Sequence, residues 1–278
     1  MYLNLAQRKN TDTIGVSFKE YPQLGWFWHY GHFIHDFIMP MILYINQSNP
    51  GLKKIYLLNN NVYRNSLPVF SIGKFKPMAE KLLKIQIEEL ETSALIKESV
   101  PTITLTPYGY GPYKPDMFAN LNPHVNRTLS LAAVTARVVL IERGAKRKLI
   151  DKMVTEENKK CLTSTGAERR SLHNHREIAR ALKEQYKAKF VNVILEDMSL
   201  EEQISLFIGA QIVIGQHGAG LCNIIWMTKA SDALVIEFPP FMCDTFKNMC
   251  STMKLNYERM EPRPQEILKK CEMIKIIS

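Results

Sequence analysis

The segment Gln211–Met227, QIVIGQHGAGLCNIIWM, leaves an apolar run through Gly215, Gln216, His217, Gly218, Ala219 and Gly220 and returns at once to apolar sequence. Small residues at a strand exit let backbone N–H groups approach a ligand. At the head of a following helix they also sit in its positive field, which suits a phosphate. Such a turn can equally form an oxyanion hole, or simply be tight. An esterase built on it needs a later G-x-S-x-G elbow, and no glycine follows Gly220; that chemistry is removed. The spacing also differs from the dinucleotide and P-loop fingerprints. His217 fits two roles, a ligand contact and an imidazole bonding its own loop. A second set lies near the N-terminus. His32 and Asp36 stand at i and i+4, on one helical face, where one can act as a general base and the other orient it. As base, Asp36 is placed first and His32 next; the alternative is a buried pair that holds the helix. His29 and His35 flank them without an HExxH pattern for zinc. Trp26, Phe27, Trp28 and Tyr30 suit a core, or a platform for a sugar.

These residues need elements to position them. ARVVLIER (Ala136–Arg143), FVNVILED, QIVIG and ALVIEFPP are short apolar, β-branched runs of the kind that form buried strands. NHREIARALKEQY has helical spacing, SLEEQISLFIGA opens with a Ser199/Glu202 capping box, and GLCNIIWM is a short helix. The alternation predicts a parallel sheet covered on both faces, in which ligands bind beyond the carboxyl ends of the strands. The N-terminal half is less regular. WFWHYGHFIHDFIMPMILYI is expected to form a helix entered near Gly31 and interrupted or kinked near Pro40. KKIYLLNN and VPTITLTP are strands, AEKLLKIQIEEL a helix or helix–strand passage, and PYGYGPYKPDMFANLNPHVNRT a long loop and linker. The fold class is α/β, with two halves and a cleft between them. The expected divisions are 1–130, 131–260 and a C-terminal helix in 261–278 that packs back on the N-terminal domain.

Composition bounds the rest. The chain has 278 residues and a net charge of +9, and between Arg143 and Lys189 fourteen Lys/Arg face six Asp/Glu. This excess suits an anionic partner. A basic nucleic-acid-binding module is the rival expectation, but the aromatic cluster lies far from the basic run, so no stacking platform accompanies the charge. No apolar run approaches the ~20 residues of a membrane span, no secretory h-region opens the chain, and the five scattered cysteines form no CxxC pair. A soluble cytoplasmic protein with reduced thiols is expected.

Four motifs in order resemble glycosyltransferase family 61. They are Glu196, Ser199, Glu202, Gln203 and His217–Asn223 in LEDMSLEEQISLFIGAQIVIGQHGAGLCN; Arg143 and Arg147, with Asp151 where Asn is usual; Glu237 in ALVIEFPP; and His32, Asp36 and Pro40 in GHFIHDFIMP. The resemblance implies a GT-B architecture, two Rossmann-like domains with parallel sheets facing a central cleft. It implies inverting transfer from a UDP-sugar, with xylose the preferred expectation, to a hydroxyl of a glycan or glycoprotein oligosaccharide. Gly218, Ala219 and Gly220 would meet the diphosphate with His217 beside it, Arg143 and Arg147 would neutralise the leaving UDP, and Glu237 would accept ribose hydroxyls. Asn223 would hydrogen-bond the diphosphate or cap the helix. Since no D-x-D occurs, metal-independent activity without a cofactor is expected, and nucleic acid is not expected as a partner. The absence of an anchor resembles small bacterial or large algal-virus members; an inactive homologue is the other alternative, because of Asp151.

Overall fold

The computed structural model describes residues 11–18, 30–59, 63–64, 67–68, 72, 75–91, 100–105, 115–119, 121–131, 134–144, 171–228, 232–240 and 243–276. Arg147, Asp151, His29, Trp26, Phe27, Trp28 and most of the basic run lie outside these residues. The described residues divide into two compact units, up to Ser130 and from Leu131 onward.

The first unit is built on a parallel sheet of β1 (Thr13–Phe18), β2 (Lys54–Asn59), β5 (Gln86–Glu91) and β6 (Thr102–Leu105), in the order β5-β2-β1-β6. A small antiparallel pair, β3 (Tyr63–Arg64) and β4 (Leu67–Pro68), stands apart from it. Ile14, Val16, Ile55, Leu57 and Ile87 are buried in the sheet. A helical segment follows β1 in three pieces, α-helix Tyr30–His32, π-helix Phe33–Ile38 and α-helix Met39–Gln47. Its wide turn has a cause in the sequence. Pro40 has no N–H, and in a regular α-helix its ring would strike the Asp36 carbonyl; here the turn widens, with the Met39 N–H donating to the Ile34 carbonyl. The helix is widened at the proline, not broken. The stretch expected to be loop and linker instead contains the helices Pro115–Ala119 and Leu121–Thr128. Proline is tolerated at a first helical position, where its missing N–H has no partner to lose, and Leu121 and Val125, one turn apart, are fully buried.

The second unit is a five-stranded parallel sheet of β7 (Val138–Glu142), β8 (Phe190–Ile194), β9 (Ile212–Gln216), β10 (Leu234–Phe238) and β11 (Asn256–Arg259), in the order β11-β10-β9-β7-β8. Numbered within the unit this is 2-1-3-4-5, a doubly wound order whose direction reverses between β7 and β9. A crevice opens at the carboxyl ends of the strands at such a reversal. One face of the sheet presents Val138, Leu140, Ile212, Ile214, Leu234, Ile236 and Phe238 to the helices His175–Tyr186 and Pro264–Cys271. Ile267 and Cys271 lie in this core, so the C-terminal helix packs on its own unit's sheet. β11 and the helix Thr245–Met253 ahead of it were not expected. No helix among the described residues is long and apolar enough to cross a membrane.

Candidate functional site

The exit of β9 lies at the reversal. Gln216 ends the strand, His217 follows, and Gly218 opens a 3₁₀ segment, Ala219–Trp226, where a short helix was expected. The Leu221 N–H donates to the Gly218 carbonyl at 3.0 Å. The first N–H groups of such a segment have no partner within it, so Ala219 and Gly220 present the donors of the turn. Gly218, Ala219 and Gly220 are partly exposed. Gly218 has φ +153°, and a methyl placed on it would fall 2.2 Å from Arg143 Nη2; both conditions demand glycine.

Arg143, just past β7 on the opposite side of the reversal, explains that contact. Its Nη2 donates to the carbonyls of Gln216 at 3.1 Å and His217 at 2.7 Å. A guanidinium charge is thereby fixed against the glycine turn, with carbonyls of the turn already among its acceptors. Gly220 is pressed between neighbours: a methyl there would meet Ile141 and Leu195, each at 3.2 Å.

Asn223 is fully buried and donates to Gln203 Oε1 at 3.1 Å and the Gly220 carbonyl at 3.2 Å. Gln203 donates in turn to the carbonyls of Leu195 and Met198 at 3.0 and 3.2 Å. The capping box fixes the helix that carries it: the Glu202 N–H donates to Ser199 Oγ at 3.2 Å and the Ser199 N–H to Glu202 Oε2 at 2.6 Å. Asn223 therefore braces the turn, where contact with a diphosphate or a helix cap was expected, because its side chain is enclosed and bonded within the protein.

Behind the turn lies a buried charged network. His217 Nδ1 donates to Glu237 Oε1, while Tyr257 Oη and Arg259 Nε, the latter at 3.1 Å, donate to Oε2. β10 and β11 pair Glu237 with Arg259 directly. Glu237 has no exposed surface, and each carboxylate oxygen is held. Where a ribose contact was expected, the carboxylate is enclosed and bonded within the protein. Burial by itself would raise the Glu237 pKa, but the hydrogen bonds from His217, Tyr257 and Arg259 outweigh it and hold the group below its ordinary value. Burial first, then the Glu237 hydrogen bond, pushes the Tyr257 phenol up, so it remains a donor. Arg259 also donates to Asp244 Oδ1 at 2.7 Å and to the Cys243 carbonyl. His217 is buried, with Nε2 3.7 Å from Cys243 Sγ and its ring edge-on to Phe246. Its imidazole is bonded within the protein, to Glu237, at the mouth of the turn. Tyr257 and Arg259 were missed. Their one sequence signal is the two-residue spacing in NYER, which puts both side chains on one face of a strand.

In the first unit, the widened helix brings His32 Nδ1 to 2.8 Å from Asp36 Oδ2. Asp36 has no exposed surface and the His32 side chain is 19% exposed. With Nδ1 donating to the carboxylate, the neutral ring keeps its lone pair on Nε2, the tautomer a base requires. His35 on the same helix is enclosed, and burial, then the charge of His32, pushes its pKa down to about 3. Tyr30, partly buried, packs edge-on to Phe75, and Phe33, fully buried, stacks on the same ring at 4.6 Å. Among the described residues no group of three His, Cys, Asp or Glu side chains is arranged to hold a metal ion.

With this geometry in hand, comparison with known proteins finds that the sequence profile of Glycosyltransferase 61 matches residues 30–234. The chain is also similar to protein O-linked-mannose beta-1,4-N-acetylglucosaminyltransferase 2 of Xenopus laevis, 24% identical over 230 residues that cover 76% of this chain. The match spans 35% of that relative's length.

Proposed function

Because the chain belongs to glycosyltransferase family 61, we propose that it transfers a sugar from a UDP-sugar, with inversion, to a hydroxyl of a glycan or glycoprotein oligosaccharide. The observation that carries this is Arg143 seated against Gly218 at the sheet reversal, a fixed positive charge beside exposed backbone donors. In the transfer, the acceptor hydroxyl attacks the anomeric carbon, its proton passes to a base, and the bond from that carbon to the β-phosphate oxygen breaks. Charge grows on the departing UDP. The N–H groups of Ala219 and Gly220 and the Arg143 guanidinium would take up that charge, the last by the strong hydrogen bonds a charged donor makes. Arg147 is proposed to assist.

His32 is the better candidate base and Asp36 its orienting partner, the reverse of the order expected from sequence, since a base must reach its substrate and Asp36 is enclosed. Glu237 acts through His217, holding the ring against the turn. The resemblance to an N-acetylglucosaminyltransferase favours UDP-N-acetylglucosamine as donor; UDP-xylose is the second choice, carried by the sequence expectation. Activity is proposed to be independent of a metal ion, with arginine and backbone dipoles supplying the positive charge.

Thermal unfolding with UDP, UDP-N-acetylglucosamine, UDP-xylose, UDP-glucose and GDP, in EDTA, tests this. A ligand at 100 times its Kd should stabilise the fold by about 2.7 kcal/mol. UDP and one UDP-sugar should raise the midpoint while GDP does not. No response to any uridine nucleotide would overturn the proposal.

A further inference from the structure

The burial of Glu237 leaves the hydroxyl groups of a bound nucleoside without the carboxylate expected for them, and a different carboxylate stands at the crevice. We infer that Glu196 accepts the ribose hydroxyls of the donor nucleotide; this rests on the proposal that the glycine turn holds the donor's diphosphate.

Glu196 lies two residues past β8, on the neighbour of β7, in the 3₁₀ turn Leu195–Asp197. It is exposed, and no hydrogen bond or ion pair of its carboxylate is found among the described residues. Its place in the crevice is nevertheless defined by its neighbours. A methyl placed on Gly144 would fall 3.0 Å from Glu196 Oε2 and 3.1 Å from its Cδ, so the carboxylate lies over the bare backbone that follows Arg143. The preceding residue, Leu195, faces Gly220 of the anion turn, and its carbonyl is held by Gln203 at 3.0 Å. Gln203 accepts in turn from Asn223, which braces Gly220. One buried amide thus ties the backbone just before Glu196 to the brace of the diphosphate turn. Two acceptor oxygens held beside a phosphate cradle match the two vicinal hydroxyls of a ribose, and an acidic residue near such a cradle in a doubly wound sheet commonly takes them. The competing carboxylate, Glu142 at the end of β7, is already engaged: Asn192 Nδ2 donates to it at 2.6 Å and His175 Nε2 lies 3.6 Å away.

The test is calorimetric titration of the whole protein with UDP, 2′-deoxy-UDP and inorganic pyrophosphate, for wild type, Glu196→Ala, Glu196→Gln and Glu142→Gln. Wild type should prefer UDP over 2′-deoxy-UDP by about tenfold or more, the loss expected when a hydrogen bond to a charged group is removed. Glu196→Ala should erase that preference and leave pyrophosphate affinity unchanged, Glu196→Gln should reduce it, and Glu142→Gln should keep it. A preference that survives in Glu196→Ala overturns this inference and leaves the diphosphate proposal standing. Failure of wild type to bind both UDP and pyrophosphate overturns the two together.

Discussion

The Asn223 amide donates to Gln203 Oε1 at 3.1 Å, and through Gln203 the exits of β8 and β9 depend on one side chain. Replacing Asn223 by Ala leaves the buried Gln203 oxygen without this donor and the Gly220 carbonyl unbraced. Leaving a buried polar atom unsatisfied costs about 1–3 kcal/mol. Urea denaturation should show a loss of that order, and UDP affinity should fall as well because Gly220 loses its brace. Undiminished UDP affinity in Asn223→Ala would show that the brace is irrelevant to the turn.

At Gly218, a methyl meets Arg143 and the backbone holds positive φ. Gly218→Ala should weaken UDP binding at least tenfold while circular dichroism remains native, because the conflict is confined to an exposed turn. Equal affinity in the variant and the wild type would remove the turn from the donor site.

The His32–Asp36 pair predicts unequal kinetic effects. His32→Ala should lower kcat by about 10²–10⁴, the usual contribution of a positioned base, with donor KM little changed. Asp36→Asn should lower kcat less, because the imidazole is then misoriented but still present. If Asp36→Asn is inactive and His32→Ala is active, the roles are the opposite of those proposed.

Glu237 gives the fold an acid limit. Its pKa is below the ordinary 4.5 in the folded protein, so the unfolded chain takes up its proton first as pH falls. The stability it contributes is complete above the unfolded value and is lost as pH falls through the folded one. Glu237→Gln should be less stable at neutral pH and should lose less stability on acidification. Removing one partner of a buried charged pair costs about 3–5 kcal/mol, and denaturant midpoints measured from pH 7 to pH 3 would reveal both effects.

His35 acts in a higher window. Its folded pKa of about 3 lies below the ordinary 6.5, so the unfolded chain binds the proton throughout the interval. The contribution is complete above pH 6.5 and declines as pH drops toward 3. In His35→Leu the slope of stability between pH 6.5 and 4 should flatten, whatever the variant's stability at pH 7. An unchanged slope would mean that the ring titrates in the folded protein.

The second unit was legible because parallel strands covered on both faces must be continuously apolar. VVLIE, IVIGQ and LVIEF satisfy that rule, and the Ser199 cap marks its helix without ambiguity. β1 escaped notice because Gly15 and Ser17 interrupt its pattern, and β11 because an edge strand of Asn, Tyr, Glu and Arg has no apolar run at all. The helices after residue 114 were hidden by Pro115, Asn122 and Pro123, residues that punctuate loops far more often than they open helices. In the site, the small residues of the turn announced a close approach. What Glu237 and Asn223 bond could not be read, because local sequence does not say which distant side chains meet a buried polar group; Arg259 comes from twenty-two residues downstream of its carboxylate.

The last strand sets an order of events during biosynthesis. Tyr257 and Arg259 close the network behind His217, and Ile267 and Cys271 complete the core over the sheet. While the ribosome is still adding residues 240–256, Glu237 has been made but lacks two of its three donors. The nascent unit therefore carries an uncompensated charge in its centre until the strand Asn256–Arg259 emerges. Competence for donor binding should arrive abruptly once the segment through Cys271 has emerged, and chains stalled before Arg259 should be protease-sensitive and unable to hold a nucleotide.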